Sequence, residues 1–130
     1  MSRPCILLVE DDVLVRATLA EYLRQCGYEV LEAVDGGEAR QLLALGGKTV
    51  SLVLADADGD GGFSLAGWVR ANHPGMEVVL TGSTARAAEK AGDLCREGPA
   101  RSVPYDHSLL LDRIRRLSAA RERSLRVTES

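Results

Sequence analysis

Acidic side chains follow two of the apolar segments in this chain of 130 residues. Glu10, Asp11 and Asp12 come directly after the segment CILLV, and Asp56 comes directly after SLVLA. Carboxylates held within about 4 Å of one another repel by on the order of 4 kcal/mol per pair at an effective dielectric constant of about 20. A divalent cation would offset that repulsion, and Mg²⁺ favours one or two carboxylates together with water and phosphate oxygens. These residue types therefore indicate a metal site suited to phosphate chemistry.

Helix capping is the competing interpretation of the first three acids, because acidic side chains stabilise the first turn of a helix. Capping accounts for one or two of them. It does not explain why a second apolar segment also ends in aspartate. We therefore favour the metal site.

The two acidic stretches can meet if the chain folds as alternating strands and helices. The predicted strands lie at 5–10, 28–33, 51–55, 77–81 and 100–103, and the predicted helices lie at 13–26, 35–47, 64–72, 84–97 and 107–121. This alternation predicts an α/β fold, a doubly wound five-stranded parallel sheet of order 2-1-3-4-5 with five helices. Strands one and three would flank the point where the winding reverses, and ligands bind at such points.

Composition excludes several other classes of protein. With 45% apolar and 27% charged residues, the chain is expected to form one domain over residues 1–121, followed by a frayed tail at 122–130. No apolar run approaches the roughly 20 residues that cross a bilayer, so we expect a cytoplasmic protein without a membrane partner. The three cysteines have no metal-binding spacing and are predicted to be reduced core thiols. The late arginines accompany only 4% aromatic residues and predict a solvated helix face rather than a nucleic-acid site.

Four segments resemble the receiver domains of two-component response regulators, the CheY-like subset of the flavodoxin-like fold. The segments are ILLVEDDVLVRATLAEYL, SLVLAD, VVLTGS and VPYD, and the resemblance covers roughly residues 4–120. It implies that Glu10, Asp11 and Asp56 hold Mg²⁺ and that Asp58 adds a backbone carbonyl. It also implies that Asp56 accepts a phosphoryl group from a histidine kinase or phosphotransfer partner, and that the Thr81 hydroxyl binds a phosphoryl oxygen.

The sequence departs from the family pattern at two switch positions and in one loop. Val103 stands where receivers usually carry a lysine, and Ala100 stands where they carry an aromatic residue. The loop after Asp56 is shorter and lacks the usual proline. Residues 56–61 also match the first half of an EF-hand calcium loop, but Gly67 replaces the glutamate expected at its twelfth position, so we disfavour that site.

Two functional hypotheses follow from the resemblance. The first is a stand-alone, non-enzymatic receiver that is phosphorylated on Asp56 with Mg²⁺ and signals by contact with a downstream protein. The alternative is a degenerate receiver that acts as a phosphorylation-independent docking or dimerisation module. The face formed by helix four, strand five and helix five is the expected contact surface and the expected site of any homodimer. A metal-dependent phosphatase is disfavoured because no general acid is evident.

Overall fold

The computed structural model describes residues 3–46, 49–57, 60–100 and 102–129, and strands alternate with helices along them. The strands are β1 (Cys5–Val9), β2 (Glu29–Ala33), β3 (Val50–Asp56) and β4 (Glu77–Thr81). The helices are α1 (Val13–Gln25), α2 (Gly36–Leu45), α3 (Asp60–Asn72), α4 (Thr84–Arg96) and α5 (His107–Glu129). Among the described residues, none of these helices has the length and apolar character needed to cross a membrane.

The described strands form one parallel sheet of order β2-β1-β3-β4. The two central strands are the apolar runs CILLV and VSLVLAD, whose side chains are almost all buried because helices cover both faces. This is the α/β fold with five helices that the alternation predicted, and it is flavodoxin-like, as the resemblance implied.

Two apolar clusters hold the helices to the sheet. Alternate β1 side chains divide between the clusters: Ile6 and Leu8 face one, and Leu7 faces the other. The first cluster contains α1, α4 and α5, and the second contains α2 and α3. Helix α4 fits closely because its inner face consists largely of small residues, namely Ala87, Ala88, Ala91 and Gly92.

The predicted fifth strand is not formed in the described part of the chain. Ala100 lies in a turn, Ser102 and Val103 have no regular structure, and Arg101 is outside the described residues. The Ala100 N–H donates to the Cys26 carbonyl at 3.2 Å, so Ala100 is bound to the end of α1 instead of to the edge of β4. A nearby hydrogen bond from the Tyr28 hydroxyl to the Leu94 carbonyl, at 2.6 Å, holds the end of α4 to the segment that follows α1.

The last helix is longer than the sequence predicted. Helix α5 begins at His107 as expected but continues to Glu129 instead of ending at 121. Residues 122–129, predicted to be a frayed tail, are therefore helical. The assignment of residues 1–121 as the domain stays a prediction.

The prediction of three reduced thiols is wrong for two of them. Cys26, at the end of α1, and Cys95, in the last turn of α4, form a disulfide across 69 residues, with their Cα atoms 5.1 Å apart. Cys5 is buried and does not take part in this disulfide. The disulfide arises because α4 packs beside α1, a contact that cysteine spacing does not encode.

The crowded turn beside this disulfide gives a test of the packing. A Cβ at Gly98 would lie 2.8 Å from the Cys26 carbonyl oxygen and 3.0 Å from the Tyr28 ring. Gly98→Ala should therefore lower the free energy of unfolding in urea by about 1–3 kcal/mol, because the neighbouring backbone must move. Gly67→Ala is the control: nothing lies within 4 Å of its Cβ position, and it should be neutral or stabilising by up to ~1 kcal/mol within α3. Equal effects of the two variants would contradict this packing.

Candidate functional site

Three acidic side chains converge beyond the carboxyl ends of β1 and β3. One carboxylate oxygen from each of Glu10, Asp11 and Asp56 lies within 4.8 Å of the other two. Val9 is paired with Ala55 in the sheet, so the residues that follow these two, Glu10 and Asp56, leave adjacent strands side by side. The structure thus brings together the acids of the two separate stretches.

Backbone contacts hold Glu10 at this edge. Its N–H donates to the Ala33 carbonyl at 3.0 Å, and its own carbonyl accepts from the Arg16 guanidinium at 2.8 Å. Glu10 Oε1 also accepts from the Asp12 N–H at 3.1 Å. Glu10 is only 8% exposed. Asp56 is half-buried and Asp11 is exposed, so the cluster opens to solvent on the side of Asp11.

The surroundings of Glu10 disfavour its charged form. Burial raises the pKa of Glu10 from 4.5 to about 7, and a hydrogen bond with Asp11 and the charges of Asp56 and Asp11 add to the rise, whereas the Asp12 N–H lowers it. Near neutral pH this carboxyl group therefore carries a proton part of the time. A bound cation would replace that proton and stabilise all three carboxylates.

Asp12 acts as a helix cap, not as a member of the cluster. Its Oδ1 accepts from the N–H groups of Leu14 at 2.9 Å and Val15 at 3.2 Å. Its Oδ2 accepts from Arg121 of α5 at 3.1 Å. Burial alone would raise the pKa of Asp12, but these hydrogen bonds outweigh burial and lower it. Sequence reasoning missed Arg121, because 109 residues separate it from Asp12 and no local pattern connects them.

Thr81 lies beside the cluster at the end of β4. It is the sheet neighbour of Asp56 and is 6% exposed. Its hydroxyl donates to the Ala55 carbonyl at 3.4 Å, and its own carbonyl accepts from the Ala57 N–H at 2.7 Å. The weak hydroxyl contact leaves Oγ1 able to turn toward another acceptor.

The two switch positions that depart from the family pattern supply no group that could bind a phosphoryl oxygen. Ala100 and Val103 are both exposed, and neither carries a polar side-chain atom. Asp58, with the neighbouring glycine of the EF-hand-like stretch, lies outside the described residues.

Cationic side chains near Thr81 come instead from α4, a feature that sequence reasoning missed. Arg86 and Lys90 line a groove of about 290 Å³ together with Thr81. We call this the β4–α4 groove. Its complete lining is Val79, Leu80, Thr81, Gly82, Arg86, Glu89, Lys90 and Asp93.

The sequence is similar to known proteins over most of its length. The sequence model of the family described as response regulator receiver domain matches residues 6–98. The chain is 35% identical over 115 residues to the response regulator protein FleR of Pseudomonas aeruginosa, covering 85% of this chain and 24% of FleR. It is 37% identical over 84 residues to the aerobic respiration control protein ArcA of Escherichia coli, covering 63% of this chain and 34% of ArcA. The chain thus spans about a quarter to a third of the length of these relatives.

Solved structures are similar as well. The non-phosphorylated receiver domain of HemR from Leptospira biflexa has 30% identity and a TM-score of 0.56, covering 86% of this chain and 94% of that one. The response regulator TrrA of Thermotoga maritima, crystallised in complex with Mg²⁺–BeF, has 32% identity and a TM-score of 0.52, covering 59% of this chain and 67% of that one.

Proposed function

This chain belongs to the response regulator receiver domain family, and on that premise we propose that it accepts a phosphoryl group on Asp56 with the help of Mg²⁺. The observation that carries the proposal is the convergence of Glu10, Asp11 and Asp56 within 4.8 Å. Receiver domains are signalling domains, so the product of this step is a changed protein surface and not a released metabolite.

The donor set fits a hard divalent cation. Carboxylate oxygens are the ligands that Mg²⁺ prefers, and the cluster supplies three of them at an edge that is open to solvent. Burial raises the pKa of Glu10, and the neighbouring charges of Asp56 and Asp11 add to the rise, so a bound cation would favour the charged form of this carboxyl group. Glu10, Asp11 and Asp56 would hold the ion, with the Asp58 backbone carbonyl as a further proposed ligand. When bound, Mg²⁺ would neutralise charge on the transferring phosphoryl oxygens.

The remaining chemistry belongs to the side chains at the strand ends. A carboxylate oxygen of Asp56 attacks phosphorus while the bond from phosphorus to the donor atom breaks, and the donor leaves with that electron pair. The Thr81 hydroxyl, held at present by one weak hydrogen bond of 3.4 Å, turns to donate to a phosphoryl oxygen. Its place opposite Asp56 in the sheet register supports this role.

The proposed partners follow from this chemistry. A histidine kinase or a phosphotransfer protein would donate the phosphoryl group, and a downstream protein would read the result. We propose a cytoplasmic location, in accord with such donors. The output surface would be the exposed side of α4 and α5, because strand five is not formed in the described residues and cannot contribute to the face predicted from sequence.

A specific observation supports the degenerate docking module as a second candidate. Val103 and Ala100 occupy the positions where the family carries its lysine and its aromatic switch residue, and both are exposed without a charged or aromatic group. A module of this kind would bind its partner equally well with and without a phosphoryl group.

Mass spectrometry separates the two candidates. Incubation with acetyl phosphate and Mg²⁺ should add the mass of one phosphoryl group, and chelation of Mg²⁺ should prevent the addition. Absence of any gain across several donors and divalent metals would refute phosphoacceptance and leave the docking module.

Metal binding gives a further prediction. Asp11→Asn should raise the Kd for Mg²⁺ by about tenfold to a hundredfold, because the ion loses one of three charged ligands. Isothermal titration with Mg²⁺ alone measures the change. Asp112→Asn is the matched control, since Asp112 is an exposed carboxylate of α5 paired with Arg116. Identical Kd values for the two variants would exclude Asp11 as a ligand.

A further inference from the structure

The outer edge of β4 has no strand beside it in the described part of the chain, where β4 pairs with β3 alone. Val78, Val79 and Leu80 are each half-buried along this edge. An open edge presents backbone N–H and C=O groups that another strand can pair with. The β4–α4 groove follows this edge, so whatever approaches β4 must also meet the charged face of α4.

That face of α4 carries four charged residues at helical spacing. Arg86, Glu89, Lys90 and Asp93 all line the groove, and their charges alternate in the order plus, minus, plus, minus. Read from the other end of the helix the order is inverted. A second α4 running antiparallel would therefore place Arg86 against Asp93 and Glu89 against Lys90, with every contact between opposite charges. A parallel second helix would place like charges together.

Charged residues beside an edge strand usually prevent pairing, and that is the simplest alternative role for them. Protection of this kind works when the charges have one sign, because two copies then repel each other. The alternating charges of α4 instead attract a second copy when the two helices run antiparallel. We propose that the β4–α4 groove binds a second copy of this chain, with the two β4 strands antiparallel and the two α4 helices side by side.

The two-fold symmetry of such a pair agrees with the placement of α4. Antiparallel pairing within one continuous sheet requires a two-fold axis perpendicular to the sheet, which leaves equivalent faces on the same side. Both α4 helices lie on the face that carries α1 and α5, so they meet across the axis and run antiparallel. The interface is isologous, and each residue pair occurs twice.

The ion pairs within one protomer are too weak to prevent the ion pairs proposed between the two protomers. Arg86 contacts Glu89 at 3.6 Å and Asp93 contacts Arg96 at 2.9 Å, and all four side chains are at least half exposed, so both pairs contribute little. Lys90 makes no ion pair with any other residue that the structure describes, and it is half-buried in the groove.

Sedimentation velocity over a concentration series, without any phosphodonor, tests the proposal. The wild-type chain should dimerise reversibly. Lys90→Glu and Glu89→Lys should each weaken the dimer by about tenfold to thirtyfold, because two attractive contacts become repulsive. A mixture of the two variants should restore the wild-type affinity, because one chain then carries two acidic side chains at these positions and the other carries two basic ones.

Controls distinguish this surface from others. Arg116→Glu reverses an exposed charge on α5 and should leave the dimer unchanged, which separates the groove from a dimer formed through α5. Amide hydrogen exchange in β4 should slow as the concentration rises. A chain that stays monomeric throughout, or single variants whose mixture fails to associate, would overturn the proposal. Neither outcome bears on phosphorylation of Asp56, which is measured separately.

Discussion

Asp56→Asn should abolish uptake of a phosphoryl group from acetyl phosphate, lowering the rate by at least about a thousandfold. An amide oxygen lacks the negative charge that a carboxylate uses to attack phosphorus. The other two carboxylates of the cluster are poor substitutes. Glu10 is buried and partly protonated near neutral pH. Asp11 lies outside the strands, whereas the sheet register places the hydroxyl residue Thr81 opposite Asp56.

Mass spectrometry over time provides the measurement, with Asp112→Asn as a variant of the same chemistry outside the site. Asp112→Asn should gain the phosphoryl group at the wild-type rate. Uptake by Asp56→Asn at a comparable rate would assign the nucleophile to another carboxylate. Peptide mapping after borohydride reduction would then identify it.

The free energy of unfolding of the metal-free protein should fall as the pH rises from about 5 to about 8, by roughly 2–3 kcal/mol from Glu10 alone. The pKa of Glu10 is about 7 in the folded chain, because burial raises it, against 4.5 for a solvated glutamate, which represents the unfolded state. Between these two values the folded state holds a proton that the unfolded state has released. Stability is therefore lost as the pH rises through this interval.

Urea unfolding in the presence of a chelator measures this slope. Glu10→Gln should flatten it and should make the metal-free protein more stable than wild type at the upper end of the range. Saturating Mg²⁺ should also reduce the slope, because the ion binds the charged form of the folded state. Glu21→Gln, an exposed carboxyl on α1, should leave the slope unchanged.

Asp12 affects the free energy of unfolding in a different range of pH from Glu10. Its pKa lies below 3.8, since hydrogen bonds to the capped N–H groups and to Arg121 outweigh burial. The stability that it contributes is present above the unfolded pKa and is lost as the pH falls through the folded value. A slope in the neutral range that persisted in Glu10→Gln would therefore come neither from Glu10 nor from this cap.

The sequence by itself determined the sheet and the position of the acidic cluster. The apolar runs that precede Glu10 and Asp56 are continuous, and strands buried on both faces have that composition. Their parallel pairing follows from the intervening helices, and it brings the residues after each strand to one edge of the sheet. These are short-range patterns combined with a general rule of topology, so they can be read without coordinates.

Only the tertiary structure decided what happens around α4. The described residues of the predicted fifth strand, Ala100, Ser102 and Val103, have too little apolar character to hold a place in the sheet, and the Ala100 N–H instead donates to the Cys26 carbonyl at the end of α1. The disulfide between Cys26 and Cys95 depends on the packing of α4 beside α1. Both contacts join segments that are far apart in the sequence. Local residue patterns do not determine which distant segments pack together.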